Sequence, residues 1–133
     1  MSELPIEAPL RSEHDMVLAR QLARRLAQEM GFSLVDQTKL VTAASELARN
    51  ALIYGGGGTM RCERLDNGAR RGLKLTFSDQ GPGIPDLKLA MTDGWSSGTG
   101  LGMGLTGARR LVNQFEIDSR VGEGTRVSIT RWK

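Results

Sequence analysis

The sequence predicts an α/β two-layer sandwich, in which three helices cover one face of a mixed, mostly antiparallel sheet. Two long stretches, at residues 16–30 and 40–52, carry apolar residues at the three- and four-residue spacing of helices. Alternating apolar and polar residues at 59–65 and 73–78 are typical of half-buried strands. A chain of 133 residues without linkers or repeats is predicted to form one domain, residues 1–133.

The first part of the chain is predicted to hold an edge strand and two helices. Leu4–Ile6 is a short candidate strand, and Pro5 restricts it to a sheet edge because proline has no N–H to donate. Ser12 is a suitable cap for the first helix. Asp36 is expected to cap the second helix, which the four successive glycines Gly55 to Gly58 must end.

Two hairpins supply the other strands. The turn sequence Asp66-Asn67-Gly68 joins the strand at 59–65 to the strand at 73–78. A glycine-containing turn then joins two closing strands, Phe115–Val121 and Thr125–Trp132.

The segment between the hairpins is predicted to hold the remaining helices. Asp86–Met91 is a candidate short helix, and the polar, glycine-rich stretch Thr92–Gly100 is typical of a mobile loop. Helical spacing returns over Leu105–Phe115.

Composition excludes several classes of protein. No apolar stretch approaches the roughly 20 residues that span a bilayer, and the N-terminus lacks the basic and apolar regions of a signal peptide. The single cysteine, Cys62, has no cysteine or histidine nearby, so a disulfide, a zinc site and thiol catalysis are not supported. We therefore expect a cytoplasmic protein that does not act at a membrane.

The net charge of +3 comes with arginine clusters whose role the sequence leaves open. They are solvated faces of helices and a turn, or they bind an acidic protein or a phosphate group. Nucleic acid is the weakest of the possible partners, because aromatic residues are few and no known nucleic-acid-binding motif is present. The candidates for a partner-facing surface are Arg20, Arg24 and Arg25.

Glu46 and Asn50 are four residues apart on the second predicted helix and therefore project from the same face. This pair alone also fits an ordinary solvated polar face. In a functional site, an Asn carbonyl is a good ligand for Mg²⁺, which takes few protein ligands. A nearby carboxylate can accept a proton from an attacking hydroxyl.

Asp79 ends a predicted strand and is followed by Gly81-Pro82-Gly83. A tight turn explains this pattern by itself. The alternative is an exposed carboxylate acceptor beside glycines that let a flat ring approach the backbone. Such an acceptor suits the exocyclic amine of adenine.

Glycines alternate at Gly98, Gly100, Gly102 and Gly104 and lead into a helix. Glycine lets backbone N–H groups turn toward an anion, and a helix N-terminus adds favourable partial charge. The stretch is neither a dinucleotide-binding fingerprint nor a Walker loop. A flexible surface loop is the alternative for this stretch alone.

Taken together, these segments resemble the GHKL (Bergerat-fold) superfamily of ATPases and kinases. Glu46–Asn50 is similar to its N box, Asp79–Gly83 to its G1 box, Gly100–Leu105 to its G2 box, and Gly122–Thr125 to its final Gly-Thr box. The resemblance covers essentially the whole chain, and the order and spacing of the boxes make it specific. Within the superfamily, the chain is most similar to the small serine kinases of bacterial partner-switching systems, such as the switch kinases of stressosome pathways.

The resemblance implies a role for each matching residue. Glu46 would be the general base, and Asn50 would bind Mg²⁺ and the nucleotide. Asp79 would hold the adenine amine, with Gly81 and Gly83 beside the ring and Thr125 supporting the pocket. The phosphates of ATP would be bound by Gly100, Leu101, Gly102, Met103, Gly104 and Leu105.

The resemblance also implies partners. An ATP- and Mg²⁺-dependent serine/threonine kinase would phosphorylate a serine on a small STAS-type antagonist protein and, once released, activate a PP2C-type phosphatase. Asn113-Gln114 departs from the more acidic pair common in this group, which bears on partner specificity. Two alternatives remain: an anti-sigma factor kinase that sequesters a sigma factor, and a nucleotide-gated binding module without transfer activity.

Overall fold

A five-stranded sheet covered on one face by three helices forms the described part of the computed structural model, residues 5–83 and 103–133. The elements in chain order are β1 (Ile6–Leu10), α1 (Glu13–Glu29), α2 (Leu34–Ile53), β2 (Gly58–Asp66), β3 (Arg71–Asp79), α3 (Met103–Arg110), β4 (Gln114–Arg120) and β5 (Gly124–Trp132). The predicted two-layer sandwich is confirmed. The sheet order is β1-β2-β3-β5-β4, and each of these pairings is antiparallel, so this part of the sheet is not mixed.

Serine residues cap both long helices. The Ser12 hydroxyl accepts a hydrogen bond from the Asp15 N–H at 3.2 Å, which confirms the predicted start of α1. The Ser33 hydroxyl accepts one from the Asp36 N–H at 3.1 Å, so α2 begins at Leu34. The prediction that Asp36 is the cap is therefore wrong: a short side-chain acceptor three residues earlier already binds that N–H.

Two predicted boundaries shift because the chain joins the sheet elsewhere. The first strand is at an edge, as predicted, but it runs over Ile6–Leu10 instead of Leu4–Ile6. The last helix ends at Arg110 and not at Phe115, because Phe115 pairs with Ile129 in the sheet. The predicted helix at 86–91 and the predicted loop at 92–100 lie outside the described residues.

The core lies between the helices and one face of the sheet. Its fully buried large side chains include Leu26 of α1, Leu40 and Leu47 of α2, and Leu75 and Ile129 of the sheet. Cys62 belongs to this core, and burial raises the pKa of its thiol to about 12, so the thiol stays protonated and unreactive. Among the described residues, no helix is long and apolar enough to cross a membrane.

Arg131 of β5 joins three elements at the end of the sheet where α2 begins. Its guanidinium donates to Asp36 Oδ1 at 2.6 Å and to the backbone carbonyl of Leu111, just beyond α3, at 2.8 Å. The hydrogen bond and the charge of Arg131 lower the pKa of the Asp36 carboxyl. The same Asp36 that fails as a cap therefore fixes the start of α2 against the C-terminal strand.

Replacing Arg131 with methionine should lower the free energy of unfolding by about 1–3 kcal/mol, because Asp36 and a carbonyl lose their partner. Urea unfolding monitored by circular dichroism measures this. Arg126→Met is the matched control: Arg126 is exposed on the same strand, so its loss should stay within about 0.5 kcal/mol. Equal losses in the two variants would contradict the role given to Arg131.

Candidate functional site

A cavity that is open to solvent lies between the C-terminal half of α2 and the adjoining ends of β3 and β5. Its walls are mostly apolar, with a carboxylate and an amide among them. Residues of α2 and its C-cap, of β3, α3 and β5, and of the turn after β3 line it: Leu47, Asn50, Ala51, Tyr54, Phe77, Asp79, Pro82, Gly83, Leu105, Thr125 and Val127.

Asp79 supplies the carboxylate at one end of the cavity. Its side chain is half-buried and accepts hydrogen bonds from the backbone N–H groups of Gly81, at 2.9 Å, and Thr125. Burial raises the pKa of this carboxyl, and the two N–H groups oppose that rise only in part. A partly desolvated carboxylate of fixed orientation is a strong acceptor for a ligand N–H.

Two glycines allow the turn after β3 to pack against the turn between β4 and β5. Gly83 has φ +80°, and a Cβ there would lie 2.3 Å from the carbonyl oxygen of Arg120. Gly124 has φ +96°, and a Cβ there would lie 2.1 Å from the carbonyl oxygen of Asp79. A hydrogen bond of 2.9 Å from the Gly122 N–H to the Pro82 carbonyl fastens the two turns together.

Asn50 supplies the amide of the cavity. Its side-chain nitrogen is buried and has no hydrogen-bond partner among residues 5–83 and 103–133. Leaving such a group unpaired costs about 1–3 kcal/mol, so a bound ligand with an acceptor would relieve it. The amide oxygen suits a hard cation, and a metal-bound phosphate would satisfy both ends of this side chain.

No group of three His, Cys, Asp or Glu side chains in the described ranges could hold a metal by itself. An amide oxygen such as that of Asn50 suits a cation that takes few protein ligands and keeps several waters. Mg²⁺ bound to a phosphate has these properties, and a structural Zn²⁺ does not.

Glu46 lies outside the cavity lining. It is exposed, one helical turn before Asn50 on the same face of α2, and thus about 6 Å farther along the helix axis. Asp79 lies beyond the opposite, C-terminal end of α2. An elongated ligand that starts at Asp79 and runs along α2 would therefore meet Asn50 first and Glu46 afterwards.

The predicted glycine loop is described only at its end. Gly100, Leu101 and Gly102 lie outside the described residues, whereas Met103 and Gly104 are the first two residues of α3. Leu105 is buried and lines the cavity, so the N-terminal end of α3 adjoins it. Helix N-termini favour anionic ligands.

Thr125 lines the cavity together with residues that were not predicted from the sequence. The Thr125 hydroxyl bonds the Ser119 hydroxyl at 2.7 Å, and it is the backbone N–H of Thr125 that reaches Asp79. Tyr54, Phe77 and Val127 also line the cavity. Tyr54 could have been predicted as a lining residue from the sequence, because it continues the helical spacing of Leu47, Asn50 and Ala51.

Comparison with known proteins agrees with this geometry. Residues 35–133 match the family described as histidine kinase-, DNA gyrase B-, and HSP90-like ATPase. The chain is 47% identical over 121 residues to the serine/threonine-protein kinase RsbT of Bacillus subtilis (strain 168), an alignment that covers 91% of each chain. The chain belongs to the RsbT family of protein kinases, within this ATPase family. The predicted resemblance is thereby confirmed.

More distant relatives of this RsbT-family kinase include anti-sigma factors. It is 27% identical over 118 residues to the anti-sigma F factor of Clostridium novyi (strain NT). This alignment covers 82% of this chain and 80% of the anti-sigma factor.

Solved structures support the fold. The RsbU and RsbW domains of Rv1364c from Mycobacterium tuberculosis align with a TM-score of 0.67 and 19% identity, over 97% of this chain and 33% of that one. The mycobacterial sensor histidine kinase MprB aligns with a TM-score of 0.58 and 17% identity, over 97% of both chains.

Proposed function

We propose that residues 1–133 form one kinase domain that transfers the γ-phosphoryl group of Mg-ATP to a serine of a small STAS-type antagonist protein. The observation that carries the proposal is the buried side-chain nitrogen of Asn50, which has no partner within the part of the chain that the structure describes. Asn50 lies between the Asp79 acceptor and the Glu46 carboxylate along α2. Family membership supports ATP as the ligand.

The cavity would hold the nucleotide in one direction. The adenine ring would lie among Phe77, Tyr54 and Val127, and its amine would donate a hydrogen bond to the Asp79 carboxylate. Asn50 would bind Mg²⁺ and a phosphate oxygen, and the chain from Gly100 to Leu105 would surround the phosphates. Mg²⁺, when bound, neutralises charge on the phosphates.

Glu46 would then act on the protein substrate. As the serine oxygen forms its bond to the γ-phosphorus, the bond from that phosphorus to the β–γ bridging oxygen breaks and ADP leaves. The serine proton passes to the Glu46 carboxylate. An exposed Glu46 suits this role, because the acceptor serine belongs to another protein and must reach it from solvent. Positioning and charge stabilisation supply the rest of the rate.

A groove between α1 and α2 would dock the substrate protein. Arg20 and Arg24 of α1 line one side of it, and Val41, Thr42 and Ser45 of α2 line the other. Ser45 is adjacent to Glu46 in sequence, so a protein bound in the groove would bring its serine toward the carboxylate. Arg25, the third candidate from the sequence, is ion-paired with Glu29 at 3.1 Å, outside the groove lining.

Reversing the charge of the groove should weaken protein binding but not nucleotide binding. We expect Arg20→Glu combined with Arg24→Glu to raise the KM for the substrate protein by about tenfold, since each exposed charge contact contributes up to about 1 kcal/mol. Steady-state kinetics with varied substrate protein and with varied ATP separates the two effects. Arg64→Glu, an exposed arginine on β2, is the control. An unchanged KM for the substrate protein would show that the groove does not dock this protein.

The proposal extends to a partner-switching pathway of the bacterial cytoplasm. There, phosphorylation of the antagonist would release the kinase, which would then bind and activate a PP2C-type phosphatase in a stress response. The likeness to anti-sigma factors favours a second candidate, a kinase that also sequesters a sigma factor.

The direct test is incubation of the protein with Mg-ATP and a purified STAS-type protein encoded beside its gene, followed by mass spectrometry. We expect one phosphoserine on that protein. ATP binding without phosphoserine would favour a nucleotide-gated binding module. Stable co-purification with a sigma factor would favour the second candidate.

A further inference from the structure

Gly55 is the first residue after Tyr54, the C-cap of α2, and its N–H bonds the Asn50 carbonyl at 3.1 Å. The glycines with positive φ in the described residues do not include Gly55. Its backbone conformation is therefore one that alanine also adopts, and conformational freedom does not explain a glycine here.

The space around Gly55 does explain it. A Cβ at Gly55 would lie 2.3 Å from Cγ of Asp79 and 2.6 Å from both its Cβ and its Oδ2. On the other side of the same carboxylate, Oδ1 accepts the hydrogen bond from the Gly81 N–H at 2.9 Å. A Cβ at Gly81 would in turn lie 2.6 Å from Cα of Gly55. The Asp79 carboxylate is thus confined between the end of α2 and the turn that follows β3.

We propose that Gly55 is a positioning residue that sets purine specificity, because its missing side chain lets the end of α2 hold the Asp79 carboxylate in one place. This inference rests on the proposed function, in which Asp79 accepts the amine of adenine. Gly55 also bonds the Asn50 carbonyl through its N–H, so the same contact links the acceptor for the base to the residue that supplies the amide for the phosphates.

The chemistry of purines makes this contact a matter of specificity. Adenine presents an amine donor at C6, whereas guanine presents a carbonyl oxygen there, which a carboxylate repels. The attraction of the Asp79 carboxylate for adenine and its repulsion of guanine both depend on its position. A methyl group at position 55 must displace this carboxylate, so the affinity for ATP should fall while the affinity for GTP changes little.

The test compares Gly55→Ala with Gly56→Ala, using fluorescent N-methylanthraniloyl derivatives of ATP and GTP with Mg²⁺. Gly56 has φ +76° and no atom within 4 Å of an added Cβ, so its substitution strains the backbone without touching Asp79. For Gly55→Ala we expect the Kd for ATP to rise by at least about tenfold, which is the effect of losing one hydrogen bond to a charged group. The Kd for GTP should change by less than about threefold, because GTP does not make this hydrogen bond. Gly56→Ala should leave the ratio of the two Kd values unchanged.

The outcomes separate this inference from the proposed function. A wild-type ratio of Kd values in Gly55→Ala, in protein that binds ATP, would overturn the role of Gly55 alone. Wild-type protein that is folded but binds no nucleotide would overturn the proposed function and this inference together.

A second measurement needs no nucleotide, in case Gly55→Ala folds poorly. Asp79→Gly removes the atoms that the new methyl group would meet. We therefore expect Gly55→Ala to lower the Tm less in the Asp79→Gly background than in the wild type. Losses of Tm that simply add would show that the two residues are not in contact, and would overturn the inference.

Discussion

Substitution of Glu46 with glutamine is expected to lower kcat for phosphotransfer by about 10²- to 10⁴-fold, the usual contribution of a general base. Glutamine keeps the size of the side chain but cannot accept the serine proton. The Kd for Mg-ATP should change by less than about twofold, because Glu46 lies outside the cavity lining. Radiolabel transfer from ATP to the substrate protein, together with calorimetric ATP binding, measures both quantities.

The loss would be assignable to chemistry because Glu46 is exposed. A surface Glu-to-Gln change stays within about 0.5 kcal/mol of wild-type stability. Glu116→Gln, at an exposed acidic residue on β4, is a matched control that should retain full transfer. Wild-type kcat in Glu46→Gln would exclude Glu46 as the base and would favour positioning alone as the source of the rate.

Replacing Asp79 with asparagine should weaken ATP binding by about 10- to 100-fold, equivalent to one hydrogen bond to a charged group. The variant should be at least as stable as the wild type without nucleotide. Asparagine is nearly isosteric, its oxygen can still accept the N–H group of Gly81, and it carries no charge to desolvate.

The pH dependence follows from the raised pKa of Asp79. Because the folded protein holds this proton more tightly than the unfolded chain, the stability from protonated Asp79 is fully present below the ordinary pKa. It is lost as the pH rises through the raised pKa. The Tm advantage of Asp79→Asn should therefore appear at neutral pH and shrink toward acid pH.

Thermal unfolding at several pH values and calorimetry with ATP test this prediction together. Asp118→Asn, an exposed carboxylate on β4, should change neither measurement. A marked loss of stability in Asp79→Asn with ATP affinity intact would mean that Asp79 supports the fold and not the ligand. If Asp79→Asn binds ATP as tightly as the wild type, the proposed role of Gly55 in purine specificity would also be contradicted.

Features set by local sequence were predictable. The Ser12 cap and the spacing of the helical apolar residues depend on neighbours three or four residues away, and the structure has them. Asp36 illustrates the limit. Ser33 and Asp36 are both good cap residues, and the partner that decides the role of Asp36 is Arg131, 95 residues away. Phe115 likewise fits a helix or a strand until its pairing with Ile129 is known.

The same distinction applies to the candidate site. Asn50 and Asp79 were recognisable from their neighbours in sequence. The two backbone N–H groups on Asp79, the Thr125–Ser119 hydroxyl pair and the contact of Gly55 with Asp79 each join segments that the fold brings together. From the sequence, four successive glycines predict only the end of a helix. The packing in the structure shows that a side chain has no room at Gly55 but has room at Gly56.

In the proposed function, the cavity between α2, β3 and β5 binds a magnesium-bound adenine nucleotide. Isothermal titration calorimetry of the wild-type chain with ATP in the presence of Mg²⁺ tests it most directly. We expect saturable binding at one site per chain. Folded protein that gives no heat of binding with Mg-ATP, and whose Tm that ligand does not raise, would contradict it.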